Sequence, residues 1–390
     1  MDLRLCAPCH FGLEGPVGAE LRRMGFQNVT GENGRVLFDG DEAGIARANV
    51  GLACAERVLV LCARYRAETF TDLFDGVRAV NWADFLPRDG AFIVTGHCVG
   101  SKLFSESDCQ SIIKKAIAES LKQSYRLSWM PETGARHAIR FHILKDEASI
   151  YIDTSGEGLH KRGYRAVAGE APISETLAAA IADFAHFDGS RPLYDPFCGS
   201  GTLLIEAAFR ATHRAPGLYR SFAGENYAFL PARLWAEARE AAAARILDIP
   251  LELHGSDIDP RMCVRTKENA KLARIRGVTA KVADVRDFSA AEGMLITNPP
   301  YGERLLDANA ARELCRALGR ATANNPSLDR YVITPDEDFE REYGEKAGKK
   351  RKLYNGMIKT CLYMYFNEKL AERKRAEFRE NRKNQEKSTD

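Results

Sequence analysis

Several things are missing from this 390-residue sequence. No apolar run approaches the length of a membrane-spanning helix, so none is expected. The opening Met1-Asp2-Leu3-Arg4-Leu5-Cys6 is strand-like and lacks a signal-peptide pattern. Net charge is nearly absent, +2 at pH 7, so only local patches could announce a nucleic-acid partner. The ten cysteines are scattered rather than paired. That fits reduced thiols and a cytoplasmic protein. Cys6-Ala7-Pro8-Cys9-His10 has the C-x-x-C-H form, yet no second C-x-x-C exists to complete a zinc site. It reads as a strand end and turn, and no metal is expected.

Another absence concerns the glycines. Asp195-Pro196-Phe197-Cys198-Gly199-Ser200-Gly201-Thr202 runs into Leu203-Leu204-Ile205-Glu206, a strand end, a glycine turn and a helix. The third glycine of the dinucleotide fingerprint would fall at Leu204, so a nicotinamide site is disfavoured. What is present is a nucleotide-type cofactor turn at the carboxyl end of a first strand. Gly199 and Gly201 let a ligand approach the backbone, with Phe197 and Thr202 beside them. Asp195 can accept from a cationic amino group, which S-adenosyl-L-methionine (SAM) carries. Leu251 to Asp257 is a second apolar strand ending in an acid, and Asp257 rather than Asp259 is assigned the ribose hydroxyls. Asp284 ends a third strand and is assigned the adenine amino group.

At the fourth strand end, after Met294-Leu295-Ile296, comes Asn298-Pro299-Pro300-Tyr301. This turn suits methyl transfer to the exocyclic amino group of a base. Such a nitrogen is a poor nucleophile because its lone pair is delocalised into the ring. A catalyst must hold both N–H groups with acceptors. The Asn298 side chain and a proline carbonyl can do so, and Tyr301 can stack on an extruded base. Proline fixes φ, restricts its predecessor and has no N–H, which leaves the carbonyls free to accept. Asn298 borders the donor as well as the amine. The helix beginning near Pro172 leads into the first strand, so Thr176 is placed over the methionine part of the donor.

The chain before about residue 165 alternates strand and helix without a glycine turn and reads as an α+β region. Strands are expected at Leu3–Cys6, Val36–Phe38, Arg57–Ala63 and Ala91–Gly96, and a hairpin at His137–Leu144 and Ser149–Asp153. Helices are expected at Val17–Met24, Glu42–Leu52, Phe70–Ala79 and Gln110–Gln123. Lys102, Phe104, Lys114, Lys115, Lys122, Arg136 and Arg140 lie in this region, where they read either as an RNA-tracking surface or as an ordinary solvated face. His160-Lys161-Arg162-Gly163-Tyr164-Arg165, at the junction of the halves, suits phosphate contact plus stacking, through Lys161, Arg162, Tyr164 and Arg165, or is a linker. Lys349 to Gly356, read as lying between a short helix and the last strand, offers Lys350, Arg351 and Lys352 as a second RNA contact. Residues 213–244 read as an insertion between helix and strand, and 368–390 as a charged tail.

Together these residues resemble the THUMP-containing class I SAM-dependent RNA methyltransferases. The likeness rests on the glycine turn, Asp257-Ile258-Asp259-Pro260 and Asn298-Pro299-Pro300-Tyr301-Gly302-Glu303-Arg304-Leu305. His160 to Arg165 and Lys352-Leu353-Tyr354-Asn355-Gly356 also match. The branch most similar modifies guanine N2 in large-subunit ribosomal RNA. The resemblance implies a ferredoxin-like element (1–55), a THUMP RNA-binding domain (56–158) and a Rossmann-like class I methyltransferase domain (159–367). Its sheet would be doubly wound and mostly parallel, with an antiparallel last strand. It further implies SAM as cofactor and 23S rRNA or a large-subunit precursor as partner. Two other readings remain open: an adenine-N6 methyltransferase on RNA or DNA, and a ribosome-assembly factor that binds RNA without turnover.

Overall fold

A computed structural model describes residues 1–165, 173–301, 308–322 and 325–366. The expected tail 368–390, the motif residues Gly302-Glu303-Arg304-Leu305 and Pro172 lie outside the described residues. In chain order the first part carries β1 (Leu3–Pro8), α1 (Glu14–Arg23), β2 (Gln27–Glu32), β3 (Arg35–Gly40), α2 (Glu42–Gly51), β4 (Leu59–Arg66), α3 (Phe70–Arg78), β5 (Ala91–Val99), α4 (Glu106–Tyr125), β6 (Arg136–Leu144) and β7 (Glu147–Asp153). Next come α5 (Glu175–Phe184), β8 (Leu193–Asp195), α6 (Thr202–Ala211) and α7 (Ala232–Ala244). The last part is β9 (Leu253–Asp257), α8 (Pro260–Leu272), β10 (Val278–Val282), β11 (Gly293–Thr297), α9 (Ala308–Thr322), β12 (Leu328–Thr334), α10 (Phe339–Tyr343), β13 (Lys349–Asn355) and β14 (Ile358–Tyr365).

Local chemistry explains several of these boundaries. Asp41 caps α2 through the Gly44 N–H, and Thr69 and Asp72 form a reciprocal capping box on α3. Asp259 caps α8, with Pro260 at its first position, where the missing N–H costs nothing. Cys109, Ile113, Ala116, Ile117 and Leu121 of α4 fall at helical spacing and are all buried. Ser105 caps that helix, so it starts earlier than the apolar spacing alone suggests.

The chain divides into two compact units, Met1–Gly163 with Arg214–Ile246, and Tyr164–His213 with Leu247–Asp390. The first holds a seven-stranded sheet in the order β2-β3-β1-β4-β7-β6-β5. Only β5 and β6 run parallel; the other pairs are antiparallel. The sheet is continuous, because β1 pairs with β4. Residues 214–246 do not fold as part of the catalytic unit but complete this first one. The Tyr227 hydroxyl donates to the Asp153 carbonyl at 2.9 Å and its ring stacks on His137. The Arg220 guanidinium binds the carbonyls of Glu157, Gly158 and Lys161. Trp235 of α7 is buried against Phe222.

The second unit holds the other seven-stranded sheet, ordered β10-β9-β8-β11-β12-β14-β13. The first five strands are parallel, and β14 is antiparallel to both neighbours. This is the expected doubly wound sheet with its antiparallel last strand. β11 is buried along its whole length, as a central parallel strand covered on both faces should be.

Two strands escape the sequence reading. β2 shows no apolar alternation and is mostly exposed, with none of its residues buried. The segment Lys349–Asn355, taken from sequence as a connection, is the edge strand β13, paired in register with β14 from Lys349↔Met364 to Asn355↔Ile358. Lysines on an edge strand discourage further pairing, which is why a strand here reads as a loop.

Candidate active site

The expected cofactor and amine residues sit at the carboxyl ends of adjacent parallel strands. The turn after β8 holds Gly199 and Gly201 in the left-handed region, at φ 52° and 81°. The two glycines serve different purposes. A Cβ on Gly199 would meet no atom within 4 Å, so this face is open. A Cβ on Gly201 would come to 2.8 Å from the Thr266 side chain, so Gly201 lets α6 and α8 pack closely. From α8, Thr266 Oγ1 donates to the Gly199 carbonyl and Asn269 Nδ2 to the Ser200 carbonyl, both at 2.9 Å. Both residues are buried. They hold the turn from behind, by its carbonyls. α6 has no side-chain cap, so its first N–H groups remain available.

Asp195 is 1% exposed. Its Oδ1 accepts from the Thr297 hydroxyl at 2.6 Å and from the Phe197 N–H at 3.2 Å. Burial raises its pKa to about 7; the two hydrogen bonds oppose the rise and the Asp257 charge adds to it. The Thr297 contact ties the end of β8 to the end of β11, immediately before Asn298. Asp257 Oδ2 accepts from the Gly199 N–H at 3.0 Å and Oδ1 from the Asp259 N–H at 2.9 Å. Asp259 caps α8 and pairs with Arg261. Asp284 caps the 3-10 turn Val285–Asp287 and pairs with Arg286 at 2.9 Å. Phe197 is half-buried against the core around Leu295. Thr176 is fully buried in the first turn of α5.

Asn298, Pro300 and Tyr301 are half-buried and Pro299 is buried, directly after β11. The Tyr301 hydroxyl accepts from Asn355 Nδ2 at 3.4 Å. Thr297, Thr266 and Asn269 were not singled out from sequence, and Asn355 entered only as part of the Lys352 to Gly356 likeness, with no role. A polar pair three residues apart inside α8 was the one available signal, at Thr266 and Asn269.

The expected RNA-contact residues fare differently. Tyr164 cannot stack on a base. It is 2% exposed, its ring lies edge-on to Phe209 and its hydroxyl donates to Glu206 at 2.9 Å. Arg162 cannot grip phosphate either. It is 6% exposed and donates to the carbonyls of Leu159 and Ala53. Arg165 binds the Ile173 carbonyl and Thr202 Oγ1 and pairs with Glu175. Buried guanidinium and hydroxyl groups need partners inside the fold, and these three have found them. Lys161 alone of the four is exposed.

On β13 the strand period of two separates the basic residues. Arg351 lies 4.4 Å over the Phe184 ring of α5. Lys350 faces the other way, over Tyr363 and paired with Glu340 at 2.7 Å. Lys352 is exposed. The trio therefore does not form one patch.

In the first unit Arg140 pairs with buried Asp153, Lys102 with Glu68 and Lys114 with Glu132. A cavity of about 660 Å³ on that sheet is lined by Arg35, Arg64 and Arg140 together with Glu32, Glu106 and Glu147, so its charges balance.

This geometry, a glycine turn and three acids at successive strand ends with the proline turn at the fourth, meets its relatives in three family models. An RMKL-like methyltransferase domain matches residues 162–364, an RlmL ferredoxin-like domain 4–59 and a THUMP domain 67–153. The chain belongs to the RMKL-like methyltransferase family. It is 43% identical to a Bacillus subtilis (strain 168) protein, "Putative RNA methyltransferase YpsC", over 96% of this chain and 98% of that one. A solved structure of "SMU.472, a putative methyltransferase complexed with SAH" superposes with a TM-score of 0.89 at 40% identity, over 94% of this chain and 98% of that one. A Listeria monocytogenes (str. 4b F2365) structure, a "predicted N6-adenine-specific DNA methylase", gives 0.89 at 44% identity, over 94% and 96%. This family member is thus a SAM-dependent RNA methyltransferase, with a THUMP domain that implies RNA binding. Among the described residues, no helix is long and apolar enough to cross a membrane.

The residues present fit SAM. The open backbone at Gly199 and the uncapped start of α6 leave room and donors for the methionine end. Three acidic residues, Asp195, Asp257 and Asp284, lie at or just after the ends of β8, β9 and β10.

Proposed function

We propose that this protein methylates the exocyclic N2 of a guanine in 23S ribosomal RNA or a large-subunit precursor. The observation that carries the amino-group target is Asn298-Pro299-Pro300-Tyr301 at the end of β11, one strand from the glycine turn. Support for a ribosomal target is the ferredoxin-like and THUMP front, matched at residues 4–59 and 67–153. The guanine assignment rests on the resemblance to the guanine-N2 branch. In this reading the chain is used as 1–55, 56–158 and 159–367, with 214–246 lent to the RNA-binding front.

SAM supplies an electrophilic methyl group on its sulfonium. The Asn298 side-chain carbonyl and the Pro299 carbonyl accept the two N–H groups of the target amine, which turns its lone pair toward the donor. Tyr301 stacks on the base. Once the nitrogen carries the methyl group its proton is acidic and leaves to water, so no strong base is needed. The gain comes from orientation and electrostatic placement. On the donor side Asp195 would hold the ammonium group and Asp257 the ribose, while Asp284 would take the adenine amine. Gly199, Gly201, Phe197, Thr202 and Thr176 shape the cleft. Lys161, Lys350 and Lys352 are the exposed cations offered to RNA phosphates.

Nucleoside mass spectrometry of ribosomal RNA from a deletion strain tests the target. Loss of N2-methylguanine relative to the parent strain is expected. Loss of N6-methyladenine instead would favour the second reading, to which the name of the Listeria relative lends weight. An unchanged profile, with no binding of S-adenosylhomocysteine, would favour the assembly factor.

A further inference from the structure

Asn355 ends β13, the edge strand of the second sheet, and the reading above gives it no part. Its carboxamide joins two distant stretches of chain. The Ser174 N–H, at the cap of α5, lies 3.4 Å from Asn355 Oδ1. Asn355 Nδ2 lies 3.4 Å from the Tyr301 hydroxyl oxygen. The first contact decides the second. A backbone N–H can only donate, so Oδ1 must face Ser174 and the NH₂ must face Tyr301. Tyr301 is therefore an acceptor toward Asn355, and its own proton points elsewhere. Among the described residues no acceptor takes that proton.

β13 is well fixed for this task. Arg351 and Asn355 share one face of the strand. Arg351 packs on Phe184 at the last turn of α5, and Asn355 meets Ser174 at its first. The strand is thus held along α5 at both ends.

We propose that Asn355 is a positioning residue for Tyr301. Its bridge from the start of α5 to the Tyr301 hydroxyl fixes the plane in which that ring stacks on the base entering the amine site. The proposal rests on the reading of Asn298 to Tyr301 as that site.

The test uses the full-length protein as wild type, Asn355→Ala, Asn355→Asp, Tyr301→Phe and the Asn355→Ala/Tyr301→Phe double variant. Methyl incorporation from labelled SAM is measured against the concentration of ribosomal RNA from a deletion strain. Calorimetry with S-adenosylhomocysteine and thermal unfolding run alongside. Asn355→Ala and Tyr301→Phe should each lower kcat/KM about tenfold, the scale of one hydrogen bond. The double variant should be no worse than Tyr301→Phe, since both changes remove one interaction. Asn355→Asp keeps an acceptor for Ser174 and still holds the Tyr301 hydroxyl, now by accepting its proton. It should therefore keep most of the activity that Asn355→Ala loses, with unchanged S-adenosylhomocysteine affinity and melting temperature. Multiplicative losses in the double variant, wild-type activity in Asn355→Ala, or Asn355→Asp as impaired as Asn355→Ala would overturn the proposal. If the wild-type protein methylates none of that RNA, the proposed function has failed and this inference falls with it. An active wild type puts only the inference at stake.

Discussion

A carboxylic acid sealed between two strand ends is the most consequential single residue of the cofactor cleft. The folded pKa of Asp195, about 7, lies above its ordinary value of 3.8. The folded protein therefore holds the proton more tightly than the unfolded chain does. The stability this gives is complete below about pH 4 and is lost as pH rises to about 7. Asp195→Asn can still accept from Thr297 and the Phe197 N–H but cannot titrate. Ligand-free wild type should lose on the order of a few kcal/mol between about pH 4 and about pH 8 relative to this variant. Melting curves across that range check it, and parallel curves would refute it. Asn298→Ala is a different kind of test, because the proposed function gives Asn298 the target amine to hold. Turnover should fall at least ~100-fold, the scale of losing oriented acceptors, with S-adenosylhomocysteine affinity nearly intact by calorimetry. A large loss of affinity with turnover preserved at saturation would count against its assigned role. Glycines, acids and prolines were legible in the sequence because each declares a local backbone or charge requirement. The contacts of Thr297 and Asn355 were not, because their partners come from other strand ends and a helix start that no local pattern specifies.

At the scale of elements, burial and strand period redistribute the basic segments. A basic, aromatic run such as His160 to Arg165 reads as an RNA surface only if its side chains point outward. Here three of them are spent on internal carbonyls, carboxylates and a threonine hydroxyl. Tyr164→Phe should cost about 1 kcal/mol of stability, one buried hydrogen bond, and leave RNA affinity unchanged in a filter-binding assay. β13 gives the contrasting case. Lys352 is exposed while Arg351 packs on Phe184, so their alanine variants should separate. Lys352→Ala should weaken RNA binding and lower the slope of log K against log salt by about 1. Arg351→Ala should lower the melting temperature and leave that slope alone. Equal slopes for wild type and Lys352→Ala would remove Lys352 from the RNA interface. The apolar helices and central strands were readable from period alone. β2 and β13 lie where a sheet meets water, so hydrophobic alternation had nothing to mark.

At the scale of the whole molecule, the RNA-binding front is assembled from two stretches of chain. The sequence places 213–244 inside the catalytic half, where it looks like a tolerated insertion. Its contacts say otherwise. Gly217 N–H reaches the Val50 carbonyl and Gly224 N–H the Thr154 carbonyl, both at 2.9 Å. Arg220 closes the chain from Glu157 to Lys161, and Trp235 is buried in the same unit. Chain order could not show this, since an excursion from one fold can supply a wall of another. The expected consequence is that residues 1–163 alone are not an autonomous domain. Expressed by themselves they should melt well below the same segment joined to 214–246 by a short glycine-serine linker. Trp235→Ala in the joined version should remove about 3–5 kcal/mol, the cost of truncating a large buried aromatic. Circular dichroism melts and limited proteolysis of the two fragments decide the matter. A 1–163 fragment as stable and protease-resistant as the joined one would mean that 214–246 only rests on a domain already complete. The catalytic half could then be trimmed of it without harm to RNA binding. If the joined fragment alone folds, RNA recognition and cofactor binding share covalent structure at both ends of the excursion. Deleting it would then abolish RNA binding even though no residue of the cofactor cleft is removed.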